Sequence, residues 1–155
     1  MANGEYYSDR LSAQRLRRVY EIAPRRVAQY LEAEIEHVLS RIEPGDSVLE
    51  LGCGYGRVLK RLAGKAREAV GIDTSPENID YARQHLADIG NISLHLMNAL
   101  SMAFPDNSFD TVVCVQNGIS AFGVDPVALV RESLRVTRPG GSALFSSYSE
   151  KFWEE

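Results

Sequence analysis

ELGCGYGR, residues 50–57, is the stretch of this chain that decides its fold. Three glycines alternate with other residues here, directly after an apolar run and directly before a helical pattern. Glycine adopts backbone conformations that other residues avoid, and it lets another molecule come close to the main chain. The stretch therefore predicts a tight turn between a strand and a helix, with a ligand lying against it.

The residues that follow this stretch predict a regular alternation of strands and helices. The predicted strands cover residues 48–51, 68–73, 92–97, 109–115 and 142–147, and the predicted helices cover 57–63, 76–88 and 126–136. Thr74 or Ser75 is expected to cap the helix that starts at Pro76. Such alternation predicts an α/β fold, a Rossmann-like doubly wound parallel sheet between two layers of helices. Ligands of such sheets bind at the carboxyl ends of the strands, where the glycines lie.

The chain length suits one domain with a single core, made of two parts of unequal size. Residues 1–45 are predicted to form N-terminal helices, one ending near Tyr20 and one running from Pro24 towards Pro44-Gly45. They are expected to pack on the core, where Tyr6 and Tyr7 either close over the ligand as a lid or pack against the sheet. Residues 46–155 are predicted to form the ligand-binding core.

Composition excludes several classes of protein. The chain of 155 residues has no apolar run of membrane-spanning length and no apolar segment near its N-terminus, and its two cysteines favour a reducing cytoplasm. The histidines and cysteines show no metal-binding spacing, so no metal is expected. A net charge of −4 makes nucleic-acid binding unexpected. One arginine-rich segment, from Arg10 to Arg26, is either a solvated helix face or a patch for an anionic substrate or RNA.

The spacing of the glycines argues against a dinucleotide. The dinucleotide pattern is G-x-G-x-x-G, but Arg57 stands at its third glycine position and Gly56 comes one residue early. A pyrophosphate would also be repelled by Glu50, which favours a ligand with an ammonium group. Asp73 closes the second predicted strand, about 20 residues after Gly54. In folds of this kind an acid at that distance binds ribose hydroxyls. A ligand with a ribose and a positive end is indicated, and S-adenosylmethionine fits this description.

The motifs in order resemble those of class I S-adenosylmethionine-dependent methyltransferases of the small-molecule type. The resembling segments are VLELGCGYGRVLKRLA, VGIDTSPENIDYAR, LMNAL, FPDNSFDTVVCVQN and LRVTRPGG followed by SALFSSY. They cover about residues 46–148. The resemblance implies the strand order 3-2-1-4-5, and it implies S-adenosylmethionine as cofactor with S-adenosylhomocysteine as product. The family fold has seven strands, so the last two are expected to be missing.

The same resemblance implies the cofactor-binding residues. They are Glu50 at the amino group, Gly52, Cys53, Gly54, Tyr55 and Gly56 around the methionine part, Asp73, Thr74 and Ser75 at the ribose, Asn98 and Ala99 at the adenine, and Gln116 and Asn117 facing the methyl group. Some of these positions also have an explanation without a ligand. The glycines would make a tight turn, Asp73 would be an acid at a helix start, and Asn98 would be an ordinary turn residue. No catalytic base is identified.

Four functions are compatible with these motifs. The first is transfer of a methyl group to a small-molecule acceptor by in-line displacement. The second is a non-catalytic S-adenosylmethionine-binding fragment or module that needs a partner or a missing C-terminal part. An RNA methyltransferase and an NAD-dependent oxidoreductase are less favoured. A homodimer through the exposed edge of the fifth strand, with Phe152 and Trp153, is a further expectation.

Overall fold

A computed structural model describes residues 13–147 of the chain as a five-stranded sheet with helices on both faces. The strands are β1 (Ser47–Leu51), β2 (Glu68–Asp73), β3 (Ile92–Leu96), β4 (Phe109–Cys114) and β5 (Thr137–Phe145). All four pairings are parallel, and the order is β3-β2-β1-β4-β5. The predicted fold class and strand order are therefore confirmed. Tyr6, Tyr7, Arg10, Phe152 and Trp153 lie outside the described residues.

Six helices are present among the described residues. They are α1 (Ala13–Glu21), α2 (Arg25–Leu39), α3 (Arg57–Ala63), α4 (Pro76–His85), α5 (Gly118–Ala121) and α6 (Pro126–Val136). Ser75 caps α4, because its side chain accepts a hydrogen bond from the Asn78 N–H at 3.3 Å.

The buried apolar side chains form two layers, one on each face of the sheet. On one face, α2 and α3 pack over β1 through side chains such as Ile35, Leu59 and Val48. On the other face, Leu49, Val112 and Leu129 belong to the layer under α6. Every residue of β1 and β4 is buried, as expected for central strands covered on both faces. The buried sheet fixes the carboxyl ends of β1, β2 and β4 beside one another.

Two predicted boundaries are wrong by three residues or more, and one short helix was not predicted. β5 begins at Thr137 and not at Ser142, because Thr137 already pairs with Phe109 and the four residues 138–141 form an irregularity in the strand. Helix α4 ends at His85, three residues before the predicted end. The four-residue helix α5 was not predicted, since a segment that short shows no apolar periodicity.

The N-terminal helices differ in how they are held. Helix α2 buries Leu31, Ile35 and Val38 in the core. Helix α1 lies against α4, where Arg17 donates a hydrogen bond to the Tyr81 hydroxyl at 3.3 Å. Within α1, Arg17 also donates to Glu21 at 2.7 Å. The division of the chain at residue 45 remains a prediction. No helix within residues 13–147 has the length and apolar character required to cross a membrane.

Candidate functional site

A cavity of about 400 Å³ opens at the carboxyl ends of the strands. Eleven of the thirteen predicted site residues line it, namely Glu50, Gly52, Cys53, Gly54, Tyr55, Asp73, Thr74, Ser75, Asn98, Ala99 and Gln116. The wall also contains residues that the sequence did not single out, namely Leu16, Tyr20, Arg57, Val58, Ile72, Asn78, Met97, Leu100, Val115, Gly118, Ala121, Phe122 and Val124. The volume lies in the range of small-molecule and cofactor sites.

The glycine loop after β1 needs its glycines for different reasons. Gly52, Gly54 and Gly56 all have positive φ angles, of 68°, 54° and 89°. A Cβ on Gly52 would lie 2.5 Å from the Phe122 ring, and a Cβ on Gly54 would lie 2.9 Å from Leu16. The first two glycines therefore keep the loop open towards the cavity and its cover.

Gly56 and Asn117 do not line the cavity. A Cβ on Gly56 would collide with Leu86, so this glycine serves the packing of the loop against the end of α4. Asn117 stands before α5 with a φ of 65° and accepts a hydrogen bond from the Ser147 hydroxyl at 3.4 Å. Their role in cofactor binding stays a prediction, and neither residue is part of the cavity wall.

Asp73, at the end of β2, lies on the cavity wall and is held there by three hydrogen bonds. Its Oδ2 accepts the Gly54 N–H at 2.9 Å, and its Oδ1 accepts the Ser75 N–H at 2.8 Å. The Asn78 amide donates to Oδ1 at 3.3 Å. These bonds tie the glycine loop to the start of α4 and hold the carboxylate at the edge of the cavity. Each carboxylate oxygen has two lone pairs, so acceptor capacity remains on Oδ2.

Thr74, Asn98 and Ala99 also line the cavity. Thr74 is exposed and Ala99 is buried at the cavity wall. The side-chain oxygen of Asn98 accepts the Leu100 N–H at 2.9 Å, so Asn98 both lines the cavity and closes a turn. Cys53 is buried, and burial raises the pKa of its thiol well above the ordinary value. Cys53 is therefore a neutral wall group and a poor nucleophile.

Glu50 and Arg57 stand on either side of the glycine loop in the chain, and both line the cavity. Glu50 is buried, and burial raises its pKa to about 8, although the positive charge of Arg57 acts in the opposite direction. Arg57 lies 4.3 Å from the centre of the Tyr20 ring, a cation–π contact that fixes the guanidinium. The residue after the third glycine thus supplies a charged group to the site, a signal that was visible in the sequence.

The end of β4 is strained. Gln116 and Asn117 are consecutive non-glycine residues with φ angles of 57° and 65°. Left-handed conformations in such residues are uncommon and collect at functional sites. The Gln116 N–H donates to the carboxylate of Glu34 in α2 at 3.2 Å, which braces this turn. Glu34 was not predicted, because it reads as one polar position on an amphipathic helix.

The chain matches one protein-family model and is similar to two curated proteins and one solved structure described below. Residues 48–141 match the family described as "Methyltransferase domain". The 2-methyl-6-phytyl-1,4-hydroquinone methyltransferase of Synechocystis is 30% identical over 128 residues, 76% of this chain and 39% of that protein. The ubiquinone biosynthesis O-methyltransferase of Xanthomonas axonopodis is 30% identical over 116 residues, 73% of this chain and 48% of that protein.

A solved structure of SAM-dependent methyltransferases from Methanosarcina mazei superposes with a TM-score of 0.63 and 26% identity. The match covers 70% of this chain and 55% of that chain. The chain spans less than half the length of the two curated relatives.

Proposed function

This chain belongs to the methyltransferase-domain family, and we propose that it binds S-adenosylmethionine and directs its methyl group to a small-molecule acceptor. The observation that carries the proposal is the Asp73 carboxylate, held by the Gly54 and Ser75 N–H groups at the cavity edge. The geometry suits a ribose diol, and the acidic Glu50 nearby suits an ammonium group. The cavity volume suits a cofactor of this size.

The residues of the chain have distinct parts in this function. S-adenosylmethionine, when bound, supplies an electrophilic methyl group on a sulfonium that leaves as a neutral thioether. Asp73 orients the ribose, and the glycine loop lets the ligand approach the main chain. The strained turn at Gln116 borders the methyl side of the cavity. Leu16 and Tyr20 of α1 cover the cavity, which supports a lid role for this helix. Alignment of the reactants supplies most of the rate enhancement expected of such an enzyme.

A small acceptor with an aromatic ring is the favoured substrate class. The two curated relatives are named for a hydroquinone and for ubiquinone biosynthesis. The wall beside Gln116 is apolar, with Val115, Ala121 and Phe122. These side chains suit a ring better than a polyanion, which supports a small molecule over RNA.

Calorimetric titration with S-adenosylhomocysteine tests the cofactor assignment. Asp73→Asn keeps the size of the side chain and removes the charge, so the affinity is expected to fall at least tenfold. Asp80→Asn is the matched control, because Asp80 is exposed on α4 and pairs only with Arg83 among the contacts described. A folded wild-type protein that binds no S-adenosylhomocysteine would contradict the proposal.

Methyl transfer to an acceptor separates the enzyme from a non-catalytic binding module. Wild-type protein is incubated with labelled S-adenosylmethionine and a hydroquinone, and label in the extracted product is counted. Label in the extracted product supports an active methyltransferase. Tight S-adenosylhomocysteine binding without turnover on a panel of hydroxylated aromatics favours the binding module.

A further inference from the structure

Helix α1 has a second face besides the one that covers the cavity. Leu16 and Tyr20, four residues apart, line the cavity. The second face, which we call the outer face, follows the helical spacing i, i+3, i+4 and i+7 and consists of Arg15, Arg18, Val19 and Ile22. Ile22 follows the last residue of α1 and stays on the helical path, because its N–H donates to the Arg18 carbonyl at 3.1 Å. All four side chains are exposed.

Two large apolar side chains lie on the outer face. The exposed fraction is 71% for Ile22 and 45% for Val19. The contact of α1 with α4 does not cover them, because that contact runs through Arg17 and Tyr81. A single exposed apolar residue needs no explanation, but two on neighbouring turns of one helix face indicate a partner with an apolar layer.

The outer face is also positively charged. Residues 13–26 contain five arginines and one acid, Glu21, which pairs with Arg17 at 2.7 Å. Within residues 13–147, neither Arg15 nor Arg18 forms an ion pair. Their guanidinium donors are therefore available to an anionic group outside the protein. The partner that complements this face is both anionic and partly apolar.

An anionic bilayer surface has both properties. Lipid phosphates accept hydrogen bonds from guanidinium groups, and the boundary between headgroups and acyl chains takes apolar side chains. RNA also supplies phosphates, but its bases stack on flat aromatic or guanidinium groups, and valine and isoleucine offer no such surface. A small soluble anion would use the arginines and leave Val19 and Ile22 in water. The outer face therefore favours lipid over either alternative.

We propose that α1 docks its outer face on an anionic membrane surface. Arg15 and Arg18 bind lipid phosphates, and Val19 and Ile22 enter the boundary between headgroups and acyl chains. The helix lies on the membrane surface and does not span the bilayer.

Docking in this orientation places the cavity next to the bilayer. Leu16 and Tyr20 line the cavity from the same helix that carries the outer face, and the width of a helix is about 10 Å. An acceptor with an apolar chain would then pass from the lipid to the cavity beside α1. This consequence rests on the proposed function, whereas docking itself requires neither cofactor nor acceptor.

Vesicle flotation without cofactor or acceptor tests the docking. Wild-type protein is mixed with vesicles of phosphatidylcholine alone, or with vesicles of phosphatidylcholine and phosphatidylglycerol in equal parts. Each arginine near an anionic surface strengthens binding about fivefold. The protein is therefore expected to bind the mixed vesicles at least tenfold more tightly than the neutral ones, and to bind them more weakly as salt is raised.

Two double variants separate the contributions of charge and of apolar burial. Arg15→Gln with Arg18→Gln is expected to lower the affinity for mixed vesicles at least tenfold and to flatten its salt dependence. Val19→Ser with Ile22→Ser is expected to lower that affinity about fivefold or more and to leave its salt dependence unchanged, since apolar burial is not screened by salt.

Val127→Ser with Arg131→Gln is the matched control. Both side chains are exposed and lie one turn apart on α6, so this variant is expected to bind mixed vesicles as the wild type does. All these changes are at exposed positions, and melting temperatures are expected to match that of the wild type. The comparison of vesicles and the salt series use wild-type protein alone, so they do not depend on the folding of a variant.

Other outcomes overturn the proposal. Equal affinity of wild-type protein for neutral and mixed vesicles, or no binding of the folded protein to either, shows that α1 does not dock on anionic lipid. Equal losses in the control variant and in the α1 variants show an unspecific effect. Tight binding to polyuridylate RNA, with no effect of Val19→Ser and Ile22→Ser on vesicle binding, assigns the arginines to nucleic acid. Docking on mixed vesicles by a protein that binds no S-adenosylhomocysteine supports the docking and contradicts the proposed function.

Discussion

Replacing Glu50 by glutamine should remove a pH dependence from the stability of the protein. The pKa of Glu50 is raised from 4.5 to about 8, chiefly by burial; the charge of Arg57 acts against this shift and that of Asp73 contributes to it. Between these two pH values, the folded protein keeps a proton that the unfolded chain has released. The free energy of unfolding of the wild type therefore falls as the pH rises from 4.5 to 8, and it levels off above 8.

The size of the effect follows from the gap between the two pKa values. One pH unit corresponds to about 1.4 kcal/mol, so the full gap amounts to on the order of 5 kcal/mol. A domain of ordinary stability has about 5–15 kcal/mol in total. The decrease in the free energy of unfolding is therefore large enough to measure. Glutamine has a similar shape and no titrating proton, so the Glu50→Gln variant should not show this decrease.

Urea unfolding at pH values from 5 to 9 measures the difference between the wild type and Glu50→Gln. The variant is expected to gain stability relative to the wild type by several kcal/mol between pH 5 and 8, with little further gain at pH 9. Glu36→Gln, an exposed change, should follow the wild-type curve at every pH. Parallel curves for the wild type and Glu50→Gln would refute the reasoning, because Glu50 would then ionise equally in both states.

Three further predictions follow from the same structure. The affinity for S-adenosylhomocysteine should rise up to tenfold per pH unit as the pH approaches 8, because an ammonium favours ionised Glu50; calorimetry should show proton release, and Glu50→Gln should abolish both. Gly54→Ala should destabilise the fold by about 1–2 kcal/mol in urea unfolding, since φ is 54° and the new Cβ would press on Leu16. Arg135→Met should lower the melting temperature more than the exposed change Arg131→Met, because Arg135 bonds the carbonyls of residues 102 and 104; equal melting temperatures would contradict this.

The sequence located most of the predicted residues that line the cavity, because its signals are local. The glycine loop, Asp73 and the cap at Ser75 are neighbours in the chain or stand at the ends of strands, and the parallel sheet then brings those ends together. Asn98 and Ala99 were found in the same way. Cofactor binding by these residues stays a prediction.

The contact between Glu34 and Gln116 could not be predicted, because the two residues are distant in sequence. Glu34 and Gln116 are 82 residues apart, and no pattern links them. The helix α5 and its neighbour Phe122 were missed because four residues carry no periodicity. The dimer through β5 remains a prediction, because Phe152 and Trp153 lie outside the described residues.

The sequence by itself determined the alternation of strands and helices, the glycine loop and the acids at the ends of β1 and β2. These features depend on local propensity, on apolar runs and on spacing within one segment. Only the tertiary structure decided which polar groups of distant segments meet at the carboxyl ends of β1 and β4. Burial and hydrogen-bond satisfaction depend on what other segments bring to a side chain, and a glutamate on a helix has the same local sequence whether it faces water or a ligand.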